Sequence, residues 1–476
     1  MSKNKFSIEK ISNENLENLK ELAIDWSLAH GLAIKSNSSD INNKLIATAI
    51  ATHAPVSLVP SPFPKELFQT ALELQPIFNL LFHRISEDHD FISNVIEDII
   101  KVDDFIKNLY EIYLKVRNEG VKQTVSLGLH RSDYFSHSFP NSNQSKLLQV
   151  EFNTISSSFS SLSTLTGQLH RYLLEKTSYF DSIDLFKKSD DYLLPENESM
   201  DAIPEGIAAA HKIYGVEDHK VHLIRKTLLE IHEEGKLDGK TGTLLIGDKE
   251  IAVTYFRAGY GPDHYPTHKE WGARLAIECS RSIKCPTVAY QLVGSKKFQQ
   301  VLSNPGILER YLSDSSDITK VRSCFAGLYP LDSSPEGESA TKLALENPER
   351  FVMKPQREGG GNNIYGSDIP LALMNLSKSE RSSYILMDLI KPPSIKNIVI
   401  RKGELIKEEM ISELGIFGFF LGGKVIKNVE AAVDVEQEDK IFVNKTAGHL
   451  LRTKAKDTKE GGVATGFSVI DSPLLI

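Results

Sequence analysis

FVMKPQREGGGNNIY, residues 351–365, is the stretch from which the fold class is read. Its apolar start, Phe351, Val352 and Met353, predicts a buried strand. The strand ends in Lys354 and Pro355, and a mixed-charge pair follows, Arg357 and Glu358. Then come Gly359, Gly360 and Gly361, and after them Asn362 and Asn363. Consecutive glycines pack nothing and cost backbone entropy. Their use is to bring backbone N–H groups close to an anion and to let a loop close. Strand, lysine, glycine loop and carboxylate are together the parts that hold a nucleoside triphosphate and its metal. A disordered surface loop has a similar composition. The flanking Lys354 and Glu358, and the apolar strand feeding them, speak for the nucleotide site.

At 476 residues the chain has room for two or three domains of ~150 residues each. Hydrophobic residues make up 41% and charged residues 25%, which is ordinary globular composition. A formal net charge of -8 argues against a general nucleic-acid binder. The start, MSKNKFSIEK, has no apolar signal region, and no run is long enough to span a membrane. The cysteines, Cys279, Cys285 and Cys324, are too few and wrongly spaced for a zinc cage or a disulfide framework. A reducing, cytoplasmic setting is expected.

Around the opening stretch the chain reads as an α/β (α+β) mixture of several layers without an internal repeat. Apolar residues at Phe91, Val95, Ile99, Val102, Phe105, Leu109, Ile112 and Val116 predict one helix face ending near Gly120. An earlier helix is expected over residues 65–81, with Pro64 near its start. Alternation at Val125, Leu127, Leu129 and Arg131 predicts a strand, and a second is expected over 147–153 after a polar loop. A helix is expected over 165–175, a linker over 189–204 and a helix over 206–215. A strand-then-helix unit is expected over 221–234, and a hairpin over 244–256. After Phe351 strands alternate with short helices and glycine turns such as Gly422-Gly423.

Three further places carry candidate chemistry. On a strand over 147–153, Glu151 and Asn153 share a face, while Leu148, Val150 and Phe152 point the other way. A carboxylate beside an amide oxygen suits Mg2+, with Glu358 as a third donor, though two solvated polar residues would read the same. Arg131, ending its strand, is either a snorkelling rim residue or a fork for a carboxylate; Arg257 stands in the same position after its own strand. Arg452 and Lys454 share a strand face before a second glycine loop, Gly461-Gly462, which suits phosphate and developing oxyanion charge; a surface hairpin is the other reading. GKLDGKT, residues 235–241, imitates a phosphate-binding loop, but it follows a helix and precedes a strand, the reverse of the required order, and is rejected. His130 and His449 lack a partner at ligand spacing and read as structural.

The segments LGLHRSDY (127–134), QVEFNTISSSF (149–159), IAVTYFRAGY (251–260), CPTVAYQLVGSKK (285–297), KPQREGGGNNIYG (354–366), SELGIFG (412–418), and HLLRTK (449–454) followed by GGVATG (461–466) come in one order. In that order they resemble eukaryotic glutathione synthetase, an ATP-grasp ligase family. The resemblance runs over most of the chain. It implies an ATP-grasp fold with a helical N-terminal region, an inserted substrate-binding α/β domain and glycine-rich lid loops. The expected divisions are 1–202, 203–295 and 296–476. It implies the joining of γ-glutamylcysteine and glycine at the expense of ATP through an acyl phosphate, in a cytosolic homodimer that binds neither nucleic acid nor membrane.

By the same resemblance, Glu151, Asn153 and Glu358 hold Mg2+. ATP contacts fall to Glu151, Lys296, Lys354, Gly359, Gly360, Gly361, Asn362, Asn363, Tyr365, Met387, Asp388, Leu389, Ile390, Glu413, Lys454 and Glu460. Peptide substrates fall to Arg131, Ile155, Ser156, Ser157, Ser158, Arg257, Ala258, Gly259, Tyr260, Arg452, Val463 and Ala464. Arg452, Lys354 and Lys296 are expected to be catalytic, Arg452 by steadying the tetrahedral oxyanion. Two departures stand out. Between Gly215 and His222 the family carries an extra strand and loop, and Asp388 stands where it usually has Glu. A nucleotide-binding homologue that turns over poorly, and a ligase for another amino acid, are the alternatives.

Overall fold

The computed structural model describes residues 8–35, 50–139, 144–183, 194–215, 220–426 and 437–476. Two long strands, Glu404–Ile426 and Gln437–Ala455, pair antiparallel and form the spine. Ile395–Arg401 pairs with the first of them and with Val56–Ser57; Val56–Ser57 joins Val469–Asp471, which returns to the second. These five strands therefore close a ring of pairings. Val125–Ser138 adds to the free side of Glu404–Ile426, and Ser145–Asn153 forms the outer edge.

Strand alternation divides the spine between two cores. Leu414, Ile416, Leu451, Tyr134 and Phe152 pack against the helices Lys65–Glu87, His89–Ile96 and Asp104–Glu119. Phe417, Phe419, Leu450, Leu127 and Leu129 pack against Asn13–His30, Ser160–Lys176 and Ser199–Tyr214. Both faces of Val125–Ser138 are thus covered, and Ser126, His130 and Ser132 are buried along with the apolar residues.

A second, four-stranded sheet runs Leu328–Pro330, Tyr384–Asp388, Phe351–Pro355, Ile364–Tyr365. One of its faces, with Phe351, Met353 and Leu386, is covered by the helices Pro335–Glu346 and Asp368–Asn375. The other, with Val352, Ile385 and Met387, meets Leu148 of the large sheet's edge strand. The strand predicted from Phe351–Met353 is present, and it faces the large sheet across a cleft.

Several expectations are corrected by local chemistry. The stripe from Phe91 to Val116 is not one helix. It breaks into His89–Ile96, a 3-10 turn Ile99–Lys101, and Asp104–Glu119. Asp103 is the cause: its Oδ1 accepts the backbone N–H groups of Phe105 (3.0 Å) and Ile106 (3.1 Å) and starts a new helix. The helix after Pro64 runs to Glu87, through Pro76. A proline leaves the carbonyl four residues back without its helical donor. Thr446 Oγ1 donates to that carbonyl, Leu72 O, at 3.1 Å. Gly422-Gly423 is not a turn but an irregularity inside Glu404–Ile426. A Cβ at Gly423 would stand 2.1 Å from Thr124 O, so the neighbouring strand requires glycine there.

The helix expected over 206–215 begins at Ser199, inside the stretch read as a linker; residues 189–193 of that stretch lie outside the described residues. No strand forms ahead of Leu228–Glu234. Of the hairpin over 244–256, Leu244–Ile246 pairs with Lys249–Glu250, while Val253–Tyr255 runs parallel to Ile283–Cys285 instead. The junction at 216–219 lies outside the described residues. Among the described residues no helix is long and apolar enough to cross a membrane. Cys279, Cys285 and Cys324 are free.

His130 and His449 are buried, as their reading as structural residues requires, and so is His83. Burial pulls the ring pKa of His83 down to about 4, and those of His130 and His449 down to about 3. Each is neutral in the fold at a pH where the unfolded chain would be protonated. The unfolded state therefore binds more protons, and stability falls as pH drops from about 6.5 toward 4. We expect acidification across that window to lower the urea midpoint, with uptake of about three protons on unfolding from these side chains. His130→Gln should flatten the slope in a pH series of urea titrations.

Candidate active site

The cleft between the two sheets has a volume of about 670 Å³. Its floor comes from the strand Ser145–Asn153, and the floor is shaped by a bulge. Asp133 sits opposite Glu151, but Tyr134 sits opposite Gln149, so Val150 is the extra residue. The bulge corrects the simple alternation read from the sequence. Val150 lines the cleft beside Glu151 and Asn153, and Gln149 is the buried one. Val150 O, turned out by the bulge, accepts from Lys354 Nζ at 3.0 Å. Lys354 thereby spans the two sheets.

Several charges in the cleft are paired. Lys296, at the start of the helix Lys296–Leu302, contacts Glu358 Oε1 at 2.6 Å and Glu151 Oε2 at 3.2 Å. Burial alone would raise the Glu151 carboxyl, but Lys296, then Lys354 and Arg452, outweigh it and hold the group at about 2. For Glu358, burial wins over Lys296 and the carboxyl is raised, with the Glu151 charge adding to the effect. Both carboxylates keep about a quarter of their side-chain surface open (24% and 23%). Burial lowers the Lys354 ammonium, and Glu151 opposes the shift.

Beside them lies Asp133, fully buried, to which the sequence reading assigned no role. It takes Arg131 with both oxygens (Nε to Oδ1 2.6 Å, Nη2 to Oδ2 2.9 Å), Arg452 Nη2 at 2.9 Å and Asn153 Nδ2 at 3.0 Å. Arg452 also binds Glu413. Arg131 does not end its strand; it is held in the middle of Val125–Ser138. A Cβ at Gly415 would stand 2.7 Å from Asp133 Oδ1, so glycine on the neighbouring strand makes room for this cluster. The available signal was position: Asp133 is two residues from Arg131 on a strand, hence on the same face.

Two loops close over the cleft and touch. Gly361 N donates to Glu460 Oε2 (2.8 Å) and Asn363 N to Glu460 Oε1 (3.2 Å). Lys454 Nζ holds the second loop through Lys459 O and Glu460 O. Gly359, Gly360 and Gly361 have φ of 96°, 74° and 80°, a run open only to glycine. On the opposite wall, Ser157 Oγ is buried without a hydrogen-bond partner, and Ser156 has φ 53°.

Of the residues expected from the sequence, the cleft gathers all but Gly361, Ala258 and Gly259. Gly361 turns its N–H to Glu460, and Gly259 O accepts from Gln291 Nε2 at 2.8 Å. Among the described residues no three His, Cys, Asp or Glu side chains are arranged as a metal cage. Glu151 and Glu358 nonetheless converge on one positive charge, and Asn153 can offer its side-chain oxygen. Two carboxylates and an amide oxygen suit a hard divalent ion whose remaining ligands are phosphate oxygens and water.

Residues 13–475 match the family model described as eukaryotic glutathione synthase, ATP binding domain. The chain belongs to the eukaryotic glutathione synthases. It is 41% identical to glutathione synthetase of Dictyostelium discoideum over 97% of this chain and 99% of that protein. It is 39% identical to glutathione synthetase of Homo sapiens, covering 97% of each. Its fold matches that of a glutathione synthetase-like effector from Globodera pallida in apo form, with TM-score 0.71, 23% identity and 98% of each chain covered. The α/β ATP-grasp-type fold expected from the sequence is thus in place.

Removing one partner from a buried ion-pair network leaves charge uncompensated, at a cost of about 3–5 kcal/mol. Asp133→Ala should therefore lower stability by about that amount, measured by urea titration, and a near-wild-type midpoint would count against the hub.

Proposed function

We propose that the chain is an ATP-dependent carboxylate–amine ligase joining γ-L-glutamyl-L-cysteine and glycine to give glutathione, ADP and phosphate. The observation that carries this reading is near-full-length membership of the glutathione synthase family. The cleft supports it in detail, because its cations and carboxylates converge where a triphosphate and a carboxylate substrate would meet.

The chemistry runs in two steps. An oxygen of the dipeptide's cysteine carboxylate attacks the γ-phosphorus, the bond to the β-phosphate oxygen breaks, and ADP leaves. The glycine amine then attacks the acyl carbon, the amide forms, and phosphate departs with the acyl–oxygen bond pair. Phosphoryl transfer of this kind needs positioning and charge neutralisation more than a protein nucleophile. Lys296, Lys354 and Lys454 would face phosphate oxygens. Glu151, Asn153 and Glu358 would hold Mg2+, which neutralises triphosphate charge when bound. Arg452, fixed by Asp133 and Glu413, would steady the oxyanion on the acyl carbon. Arg131, Ser156, Ser157, Ser158, Arg257 and Tyr260 would receive the dipeptide, and Val463-Ala464 the glycine. The two linked loops would keep water from the acyl phosphate. The divisions at 202 and 295, a homodimer and a cytosolic location belong to the same reading.

Purified protein given ATP, Mg2+, γ-glutamylcysteine and glycine should form ADP over many turnovers only when both substrates are present. Sustained ADP formation independent of glycine, or no peptide product, would overturn the assignment. Lys354→Met keeps the apolar stem and removes the charge; we expect a loss of about 100-fold in kcat/KM for ATP with an unchanged circular dichroism spectrum.

A further inference from the structure

The glycine loop is anchored at three successive residues just before its first glycine. Gln356 Oε1 accepts from Lys297 N at 3.0 Å, and its Nε2 donates to Ser383 O at 3.3 Å. Glu358 meets Lys296. Between them, Arg357 lines the cleft and reaches the N-terminal helices. Its Nη1 donates to Asp103 Oδ2 at 2.5 Å and to Gln356 O at 2.8 Å. Its guanidinium lies 5.8 Å from the centre of the Phe105 ring.

Asp103 is the residue that starts the helix Asp104–Glu119, and it needs only Oδ1 for that task. Asn or Ser would cap the helix about as well. Capping alone therefore does not call for a carboxylate, whereas an arginine on the second oxygen does. Asp103 is nearly buried at 5% side-chain exposure and Arg357 is 30% exposed, so the pair is sheltered from full solvent screening. The first left-handed glycine, Gly359, comes directly after Glu358.

We propose that Arg357 is a positioning residue: through Asp103 it fixes the root of the glycine loop to the N-terminal helices. Glu358 then stays in place while the chain pivots from Gly359 onward. This inference rests on the nucleotide role of the cleft given above. A loosened root would let Glu358 move relative to Lys296 and weaken the hold on the nucleotide.

The test uses Asp103→Asn, which keeps the helix cap and removes the charge, together with Arg357→Gln, Arg357→Lys and the double variant Asp103→Asn/Arg357→Gln. Binding of a non-hydrolysable ATP analogue with Mg2+ is followed by calorimetry, beside steady-state kinetics and thermal midpoints. We expect Asp103→Asn and Arg357→Gln each to weaken analogue binding and raise the KM for ATP by about fivefold, as for loss of one sheltered charge-assisted contact. We expect kcat to change less than about twofold, since uniform binding is lost. Arg357→Lys should recover part of the loss, and the double variant should be no worse than Arg357→Gln. Unchanged binding in Asp103→Asn, additive losses in the double variant, or losses that track a lowered thermal midpoint would each overturn the proposal. A wild-type protein that binds the analogue but makes no peptide would overturn the ligase reading alone, and the binding curves would still decide the role of Arg357.

Discussion

Everything in the cleft is arranged around one buried carboxylate. Asp133 has no exposure, so its charge must be met inside the protein. Arg131 from its own strand, Arg452 from Gln437–Ala455 and Asn153 from Ser145–Asn153 meet it, and Arg452 adds Glu413 from Glu404–Ile426. Four neighbouring strands thus share one electrostatic knot. The knot fixes where two arginine forks stand, and those forks face the side of the cleft assigned to the dipeptide. Gly415 is the space that this knot occupies.

The second constraint acts across the cleft. The two sheets share an apolar contact at Leu148, Val352, Ile385 and Met387, and lysines add polar contacts near the site. Lys354 reaches from the small sheet to Val150 O on the large one, and Lys296 meets Glu151 of the large sheet and Glu358 of the glycine loop. The same cations that join the layers are those assigned to triphosphate. Val150, whose carbonyl Lys354 reaches, is the bulged residue of the edge strand.

Composition and short-range pattern carried a large part of this outcome. The glycine loop was legible because three glycines between a lysine and an asparagine pair have no packing purpose. The helix after Pro64 was legible because proline suits the start of a helix. What could not be read locally was whatever depends on a partner far away in sequence. Asp103 cuts a continuous apolar stripe by offering a side-chain oxygen to two backbone donors, and its residue type alone does not announce that choice. Pro76 is tolerated because Thr446, on a distant strand, takes the carbonyl it frees. Gly422-Gly423 resembles a turn and is strand, because it pairs with Ser126 and Val125, and Thr124 O crowds Gly423 so that only glycine fits. Asp133 lay inside a quoted segment, yet its importance comes from Arg452 and Asn153 arriving from other strands.

Pairing also bears on how the cleft works. Lys296, Lys354 and Arg452 each already hold an oxygen, so ATP and a carboxylate substrate would exchange partners with them. Exchange avoids most of the cost of stripping water from bare buried ions. The Glu460 carboxylate, held by backbone N–H groups of Gly361 and Asn363, is placed in the same way. Those N–H groups are of the kind that cradle phosphate, and they are satisfied by an anion from the facing loop. The loops and the lysines therefore share one principle: the groups that would meet a substrate are held in position by oxygens of the protein's own chain.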